Sequence, residues 1–276
     1  MLAVTEWQGQ TGEAWAEEWR RTDRTLEPVN QTLLARALPF DGRRILDVGC
    51  GAGATSFALA DAAQHAEVTG LDLSDALVAA ARGRTEGRGN VRFVSGDAST
   101  WSPDGGETFE LIVSRHGIMF FNDPVAAFTH LHGLAPRGRL LFSCFRAATE
   151  NEWMAAMRAI IERHAPAALA APESAPGPFA FADPARIEAI LHRAGFAPPV
   201  IEPFDFDFMA GAGPDPLADA IGYFRRIGPM ARLLAAIEDE AAKTAFLADL
   251  KAVAADHLSS RGIVFRAAAW IVSSRA

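Results

Sequence analysis

Apolar and polar positions follow two rhythms along this chain. Short runs rich in Val, Ile, Leu and Phe occupy residues 43–48, 67–71, 91–95, 109–114 and 139–145, and Gly, Asp or charged residues bound them. Such runs read as buried strands. Stretches with helical spacing separate them at residues 55–64, 75–84 and 124–134. Strands alternating with helices make parallel βαβ units, and right-handed crossovers place helices on both sheet faces. Two later runs, 200–208 and 263–273, read as further strands, which brings the predicted sheet to seven.

Three segments fall outside this rhythm. Residues 6–38 carry Trp7, Trp15 and Trp19, and Trp15 and Trp19 are four apart, so one helix would carry both on one face. That face packs on the core, forms an aromatic lid over a ligand, or does both. Residues 165–182 hold Pro166, Pro172, Pro176 and Pro178, which predicts an extended loop that borders a pocket or joins two helices. Asp183 then caps a helix with Pro184 at its first position, ending at Gly195. Residues 211–260 place Leu217, Ile221 and Phe224, then Leu233, Leu234 and Ile237, at helical spacing between the last two strands. They form a roof over a ligand site or a hairpin on the sheet edge. The predicted organisation is an N-terminal helical lid over 1–40, a core over 41–210 and 261–276, and a helical insertion over 211–260.

The candidate chemistry sits at strand ends. The run Asp47-Val48-Gly49-Cys50-Gly51-Ala52-Gly53 closes the first strand with an acid and opens into alternating glycines before a helix. Glycine lets the backbone turn sharply and a ligand approach closely, and a helix start offers N–H groups to a polar ligand. Asp72, roughly 20 residues on, has the spacing at which a carboxylate reaches a ribose diol. Ser74 or Asp75 is there to cap the next helix, which leaves Asp72 for a ligand. Gly96-Asp97-Ala98 ends the third strand; there Asp97 accepts from an exocyclic amine of the base, or forms a plain turn. The glycine run also satisfies the dinucleotide fingerprint, so an NAD(P)-dependent oxidoreductase is a competing reading. Against it stand the acid at Asp47 and the lack of a Tyr-x-x-x-Lys pair, because Tyr223 is the single tyrosine and Ile227 follows four on.

These motifs, with Gly70-Leu71-Asp72, the run from Phe109 to Arg115 and that from Leu134 to Leu140, resemble the motif series of class I S-adenosylmethionine-dependent methyltransferases. The similarity is to the ubiquinone- and menaquinone-biosynthesis-like branch, which acts on small molecules. It is strong over residues 40–145; Arg137 stands where that family often has a second glycine. The resemblance implies a Rossmann-like sheet closed by the two late strands, one antiparallel. It also implies S-adenosylmethionine as cofactor, held by Asp47, Gly49, Cys50, Gly51, Gly53, Asp72, Leu73, Asp97, Ala98 and Arg115. His116, directly after the fourth strand, is the candidate general base, since histidine titrates near neutrality. Its alternative is a pocket-lining residue. Arg115 contacts the cofactor, orients an acidic acceptor, or forms a structural ion pair. Trp15, Trp19, Phe120 and Tyr223 are candidates for the acceptor pocket, His164 and His257 join them if the roof closes, and His130 and His132 read as structural or exposed. The acceptor reads as a partly hydrophobic small molecule, aromatic or quinone-like, with O, N or C as the methylated atom. A protein that binds the cofactor without turnover is the remaining alternative.

Composition narrows this further. The chain has 276 residues, half of them hydrophobic, and a net charge of −8 with no Lys/Arg-rich run. That argues against a nucleic-acid substrate, which needs a basic face. Arg82, Arg84 and Arg88 come nearest to a patch and read as the solvated face of a helix. Two cysteines, Cys50 and Cys144, have neither disulfide nor metal spacing, so no metal is expected and a reducing cytoplasm fits. Residues 1–7 lack a signal-peptide pattern, and no apolar run has membrane-spanning length. The oligomeric state is left open.

Overall fold

The computed structural model describes residues 7–38, 41–166 and 176–276. Pro172 and the rest of 167–175, with residues 1–6 and 39–40, lie outside the described residues. The strands are β1 (Arg44–Val48), β2 (Glu67–Asp72), β3 (Val91–Ser95), β4 (Leu111–Arg115), β5 (Arg139–Phe145), β6 (Val200–Gly211), β7 (Leu258–Ser259) and β8 (Gly262–Arg275). Their order is β3-β2-β1-β4-β5-β8-β6, and the two-residue β7 pairs with β8 beside this path. The main path is thus the expected seven strands. β1 to β5 pair in parallel, and β8 runs antiparallel to both β5 and β6.

Burial explains the sequence of the central strands. Ile45, Leu46, Leu71, Leu111, Ile112 and Val113 are all buried, because helices cover both faces of a parallel sheet. The helices Ala54–Ala62, Asp75–Gly83 and Pro124–Leu134 are the crossovers, and Glu27–Ala37 packs on the sheet from the N-terminal side. Ser74 and Asp123 cap two of these helices, at 3.4 Å from Leu77 N and 3.0 Å from Ala126 N. The helix Pro184–Arg193 starts on Asp183, as the sequence indicates.

Chain order reverses between β1 and β4. From β1 the chain winds outward through β2 and β3; from β4 it winds the other way through β5. The loops leaving β1 and β4 therefore diverge and leave a crevice at their carboxyl ends, where open α/β sheets bind ligands.

Two helical expectations change. Trp15 and Trp19 do not share a helix: Gln10–Glu17 and Trp19–Thr25 are separate, broken at Glu18 (φ −92°, ψ 13°). The Glu18 carboxylate is held there by Arg21 at 2.6 Å and Arg226 at 3.0 Å; Trp15 packs on Trp7, whereas Trp19 lies under Arg84. A helix over Glu152–His164 follows β5 and had no counterpart among the predicted elements. The 211–260 stretch is three helices, Pro216–Arg226, Gly228–Ala236 and Glu240–Ala255.

Candidate active site

The glycine loop is shaped by its backbone. Gly49 N and Cys50 N both donate to Leu71 O, at 2.8 and 3.1 Å, which pins the loop to the end of β2. Gly49 has φ +67°, and a Cβ there would lie 2.7 Å from Gly117 Cα in the loop after β4. Only glycine fits where these two loops cross. At Gly51 a Cβ would meet nothing within 4 Å, because the position faces open space in the crevice.

Asp72 completes this end. Its Oδ2 accepts from Gly51 N at 2.8 Å and its Oδ1 from Ser74 N at 2.9 Å. Backbone donors at Gly51 and Ser74 hold the carboxylate, and an ionised carboxylate has about four acceptor positions, so capacity remains for a ligand. Burial pushes its pKa above the usual carboxylate range, against these hydrogen bonds. Ser74 is the helix cap, so Asp72 is released from that duty. Asp97 uses Oδ1 to accept from Ser99 N and Ser99 Oγ at 2.8 and 2.7 Å. It thereby makes the turn and also lines the crevice.

The crevice is a cavity of about 860 Å³. Gly49, Cys50, Gly51, Asp72, Leu73, Asp97, Ala98, Arg115, His116, Trp15, Trp19, Phe120 and Tyr223 all line it. Two expected contacts do not. Asp47 and Gly53 are absent from the wall. Asp47 is fully buried inside β1, where Oδ2 accepts from Ser56 Oγ at 2.6 Å and anchors the helix behind the loop. Burial raises its pKa to about 6, and the Ser56 hydrogen bond opposes the shift. Gly53 has φ +91° at the start of that helix, where its missing Cβ makes room for Phe57 and Phe93.

His116 stands at φ +59°, a left-handed conformation that few side chains adopt. Its Nδ1 lies 2.8 Å from Ser143 Oγ on β5, its ring sits edge-on to Phe145, and Nε2 is buried with no partner. Burial, with Arg115 beside it, lowers its pKa to about 3. The imidazole is therefore neutral across the working pH range, and a base of that strength removes protons poorly at neutrality. Arg115 forms an ion pair with Asp23 at 3.1 Å, and its buried Nη1 has no partner. Asp23 also holds Arg84 at 3.0 Å. Arg84 lies 3.5 Å over the Trp19 ring and donates to Ala52 O at 2.6 Å. Arg84 is thus not a solvated charge; it ties the N-terminal helices to the glycine loop. Arg82 turns inward to Phe93 O, while Arg88 pairs with exposed Asp61.

The far wall was only partly visible in the sequence. Trp153, Phe145, Phe208 and Phe224 line it together with Tyr223, whose hydroxyl burial pushes up to about 12. Trp153 is stacked on Phe208 and Phe179, with centroids at 5.4 and 5.8 Å. Asn151 Oδ1 accepts from the Trp153 indole at 3.3 Å and from Ala268 N at 3.0 Å, so it locks the indole to β8. The pattern Asn151-x-Trp153 after β5 was the available signal. Pro178, from the proline-rich stretch, also reaches the wall. Residues 223–235 of the late helices contribute, whereas none of Glu240–Ala255 does. That last helix packs on Glu152–His164, and His164 bonds Asp249 at 2.9 Å. His164 and His257 do not line the cavity; His257 stacks on Phe265. His130 bonds Trp101 O at 2.6 Å and His132 packs on Phe196, both structural roles. Both cysteines are free and buried, and no cluster of metal-ligating side chains occurs among the described residues.

A carboxylate thus faces a glycine loop at the switch point of a doubly wound sheet, where open α/β sheets bind their ligands. Comparisons with known proteins agree. A family model described as a methyltransferase domain matches residues 45–138. The trans-aconitate 2-methyltransferase of Streptomyces avermitilis is 38% identical over 131 residues, which are 45% of this chain and 47% of that protein. The demethylmenaquinone methyltransferase of Thermus thermophilus is 32% identical over 175 residues, 58% of this chain and 77% of that protein. Magnesium protoporphyrin IX methyltransferase from Synechocystis PCC 6803, solved with bound S-adenosylhomocysteine, shares the fold. Its TM-score is 0.54 at 17% identity, with 99% of this chain and 97% of that one covered. The chain belongs to the class I S-adenosylmethionine-dependent methyltransferases. No finding favours the oxidoreductase reading.

Proposed function

We propose that the cavity binds S-adenosylmethionine and that the protein transfers its methyl group to a small-molecule acceptor. The carrying observation is Asp72, fixed by Gly51 N and Ser74 N with acceptor capacity left facing the cavity. A ribose diol suits that capacity. Asp97, whose Oδ2 makes no hydrogen bond among the described residues, suits the adenine amine, with Leu73 and Ala98 lining the base. Gly51 leaves room for the ligand, and the unpaired Nη1 of Arg115 offers charge to its acidic end. The other arm of Arg115 is held by Asp23, which fits an N-terminal helical lid.

When bound, the sulfonium supplies an electrophilic methyl and its own leaving group. What this chain adds is alignment and exclusion of water, which can carry most of the acceleration. Trp7, Trp15 and Phe120 from one side and Trp153, Phe208 and Tyr223 from the other give the cavity apolar walls. Such walls suit a partly hydrophobic acceptor, aromatic or quinone-like; the name of the Thermus relative points the same way. Residues 223–235 act as its roof. Free, buried Cys50 and Cys144 fit work in the cytoplasm.

Calorimetric titration with S-adenosylmethionine, S-adenosylhomocysteine, NAD and NADP tests the reading. Micromolar binding of the two adenosyl ligands alone is expected, and binding of a dinucleotide would overturn it. Turnover with an acceptor panel then separates an enzyme from a binding protein.

A further inference from the structure

His116 Nε2 is buried and unpartnered, in a residue that lines the cavity. Its other nitrogen meets Ser143 Oγ at 2.8 Å. Ser143 is fully buried, and among the described residues its hydroxyl has no partner besides that nitrogen. A buried hydroxyl proton needs an acceptor. If Ser143 donates to Nδ1, the serine is satisfied and the ring proton must sit on Nε2. If Nδ1 donated instead, the hydroxyl proton would be orphaned. The left-handed backbone of His116 is a further cost borne to aim this ring, and such costs collect at functional positions.

From this geometry we infer that His116, in a tautomer fixed by Ser143, presents an Nε2–H donor that holds an oxygen of an acceptor carboxylate. This rests on the methyl-transfer reading above and names its substrate class. The low basicity of the buried ring agrees, since the donor stays neutral. Among the described residues packed against the ring, Arg115 is charged, while Ser143 and Phe145 from β5 are not. Tyr223 is held protonated, and Asp72 sits at the glycine loop, where its free acceptor capacity serves the ribose, so neither is a ready base at the acceptor end. A carboxylate needs none. One carboxylate oxygen donates a lone pair to form the O–CH3 bond; the S–CH3 bond breaks and its electron pair stays on sulfur as a neutral thioether. The negative and positive charges cancel, and no proton moves. Arg225 and Arg232, both on the cavity wall with no ion pair among the described residues, add positive charge for such an acceptor.

The test loads the protein with S-adenosylhomocysteine and titrates cinnamate, then cinnamamide, by calorimetry. Methyl ester formation from cinnamate, benzoate, phenylacetate and octanoate is then assayed beside phenol and aniline. Expected are acid binding at least tenfold tighter than amide binding, methyl esters from at least one acid, and a rate without a titration step between pH 6.5 and 8.5. Ser143→Ala should raise the acid KM about tenfold with S-adenosylhomocysteine affinity unchanged. His116→Gln, whose amide N–H can replace Nε2–H, should keep more activity than His116→Leu. Methylation confined to phenol or aniline, a rate that climbs through neutrality and vanishes in His116→Gln, or no acid methylated would each overturn the proposal. Loss of S-adenosylmethionine binding by the unmodified protein would instead overturn the underlying reading.

Discussion

The two ends of the cavity are built on different principles. The end proposed for the nucleoside comes from the carboxyl ends of β1, β2 and β3, within residues 48–100, and its key contacts are backbone N–H groups meeting Leu71 O and Asp72. The end proposed for the acceptor draws side chains from residues 7–26, 116–126, 145–157, 178, 208 and 223–235. The first is rigid because a hydrogen-bonded sheet holds it. The second depends on how separate helices pack, and packing of that kind varies most readily with substrate.

The largest effect should fall on the backbone crossing. Gly49→Val places a branched side chain at φ +67° against Gly117 Cα, so loss of nucleoside binding with a lowered melting temperature is expected. A variant that binds normally would show the two loops are not tightly crossed. Next comes Asp72→Ala. Removing two charge-assisted hydrogen bonds should cost about 4 kcal/mol, roughly a thousandfold in S-adenosylmethionine affinity, with the circular-dichroism spectrum retained. Unchanged affinity would end the ribose assignment.

Asp47 sharpens the comparison through pH. Its folded-state pKa is raised from 3.8 to about 6, so the folded protein keeps a proton that the unfolded chain has lost. Its contribution to stability is therefore full below about pH 4 and declines as pH rises to 6. The loss is about 3 kcal/mol, after which the curve is flat. In Asp47→Asn that decline should disappear from the denaturation profile; superimposable profiles would mean that Asp47 does not titrate this way.

At the acceptor end, Trp153→Leu should raise acceptor KM about tenfold, or about 1.4 kcal/mol, and leave S-adenosylhomocysteine affinity unchanged. Equal losses in both would make the cavity one energetic unit. The smallest expected effect is that of Asp23→Asn. It weakens the ties to Arg84 and Arg115 and should raise the cofactor dissociation constant about threefold, with faster proteolysis at the N-terminal helices.

The difference between the ends also explains what could be read in advance. Gly49, Gly51, Asp72 and Asp97 were legible because their task is local: a strand, a turn and a cap leave a spacing in the sequence. Asp47 was found by the same spacing but assigned to the ligand, since spacing does not say which way a strand residue faces. Arg84 looked like a surface charge because its partners, Asp23 and Trp19, are about 60 residues earlier. Trp153 had only the Asn151-x-Trp153 spacing for a signal and Ser143 had none, and what each does appears only once β5 is laid beside β4 and β8.

The sequence by itself determined the doubly wound sheet, the glycine loop and the carboxylate that faces it. Hydrophobic period, glycine placement and short-range capping specify these without long-range information. Only the tertiary structure decided that Asp47 lies behind the loop, that Glu18 breaks the tryptophan helix, and that the Ser143 hydroxyl meets the ring of His116. Each depends on contacts between segments distant in the chain, where burial and the need to satisfy every polar group choose among arrangements that the sequence permits equally.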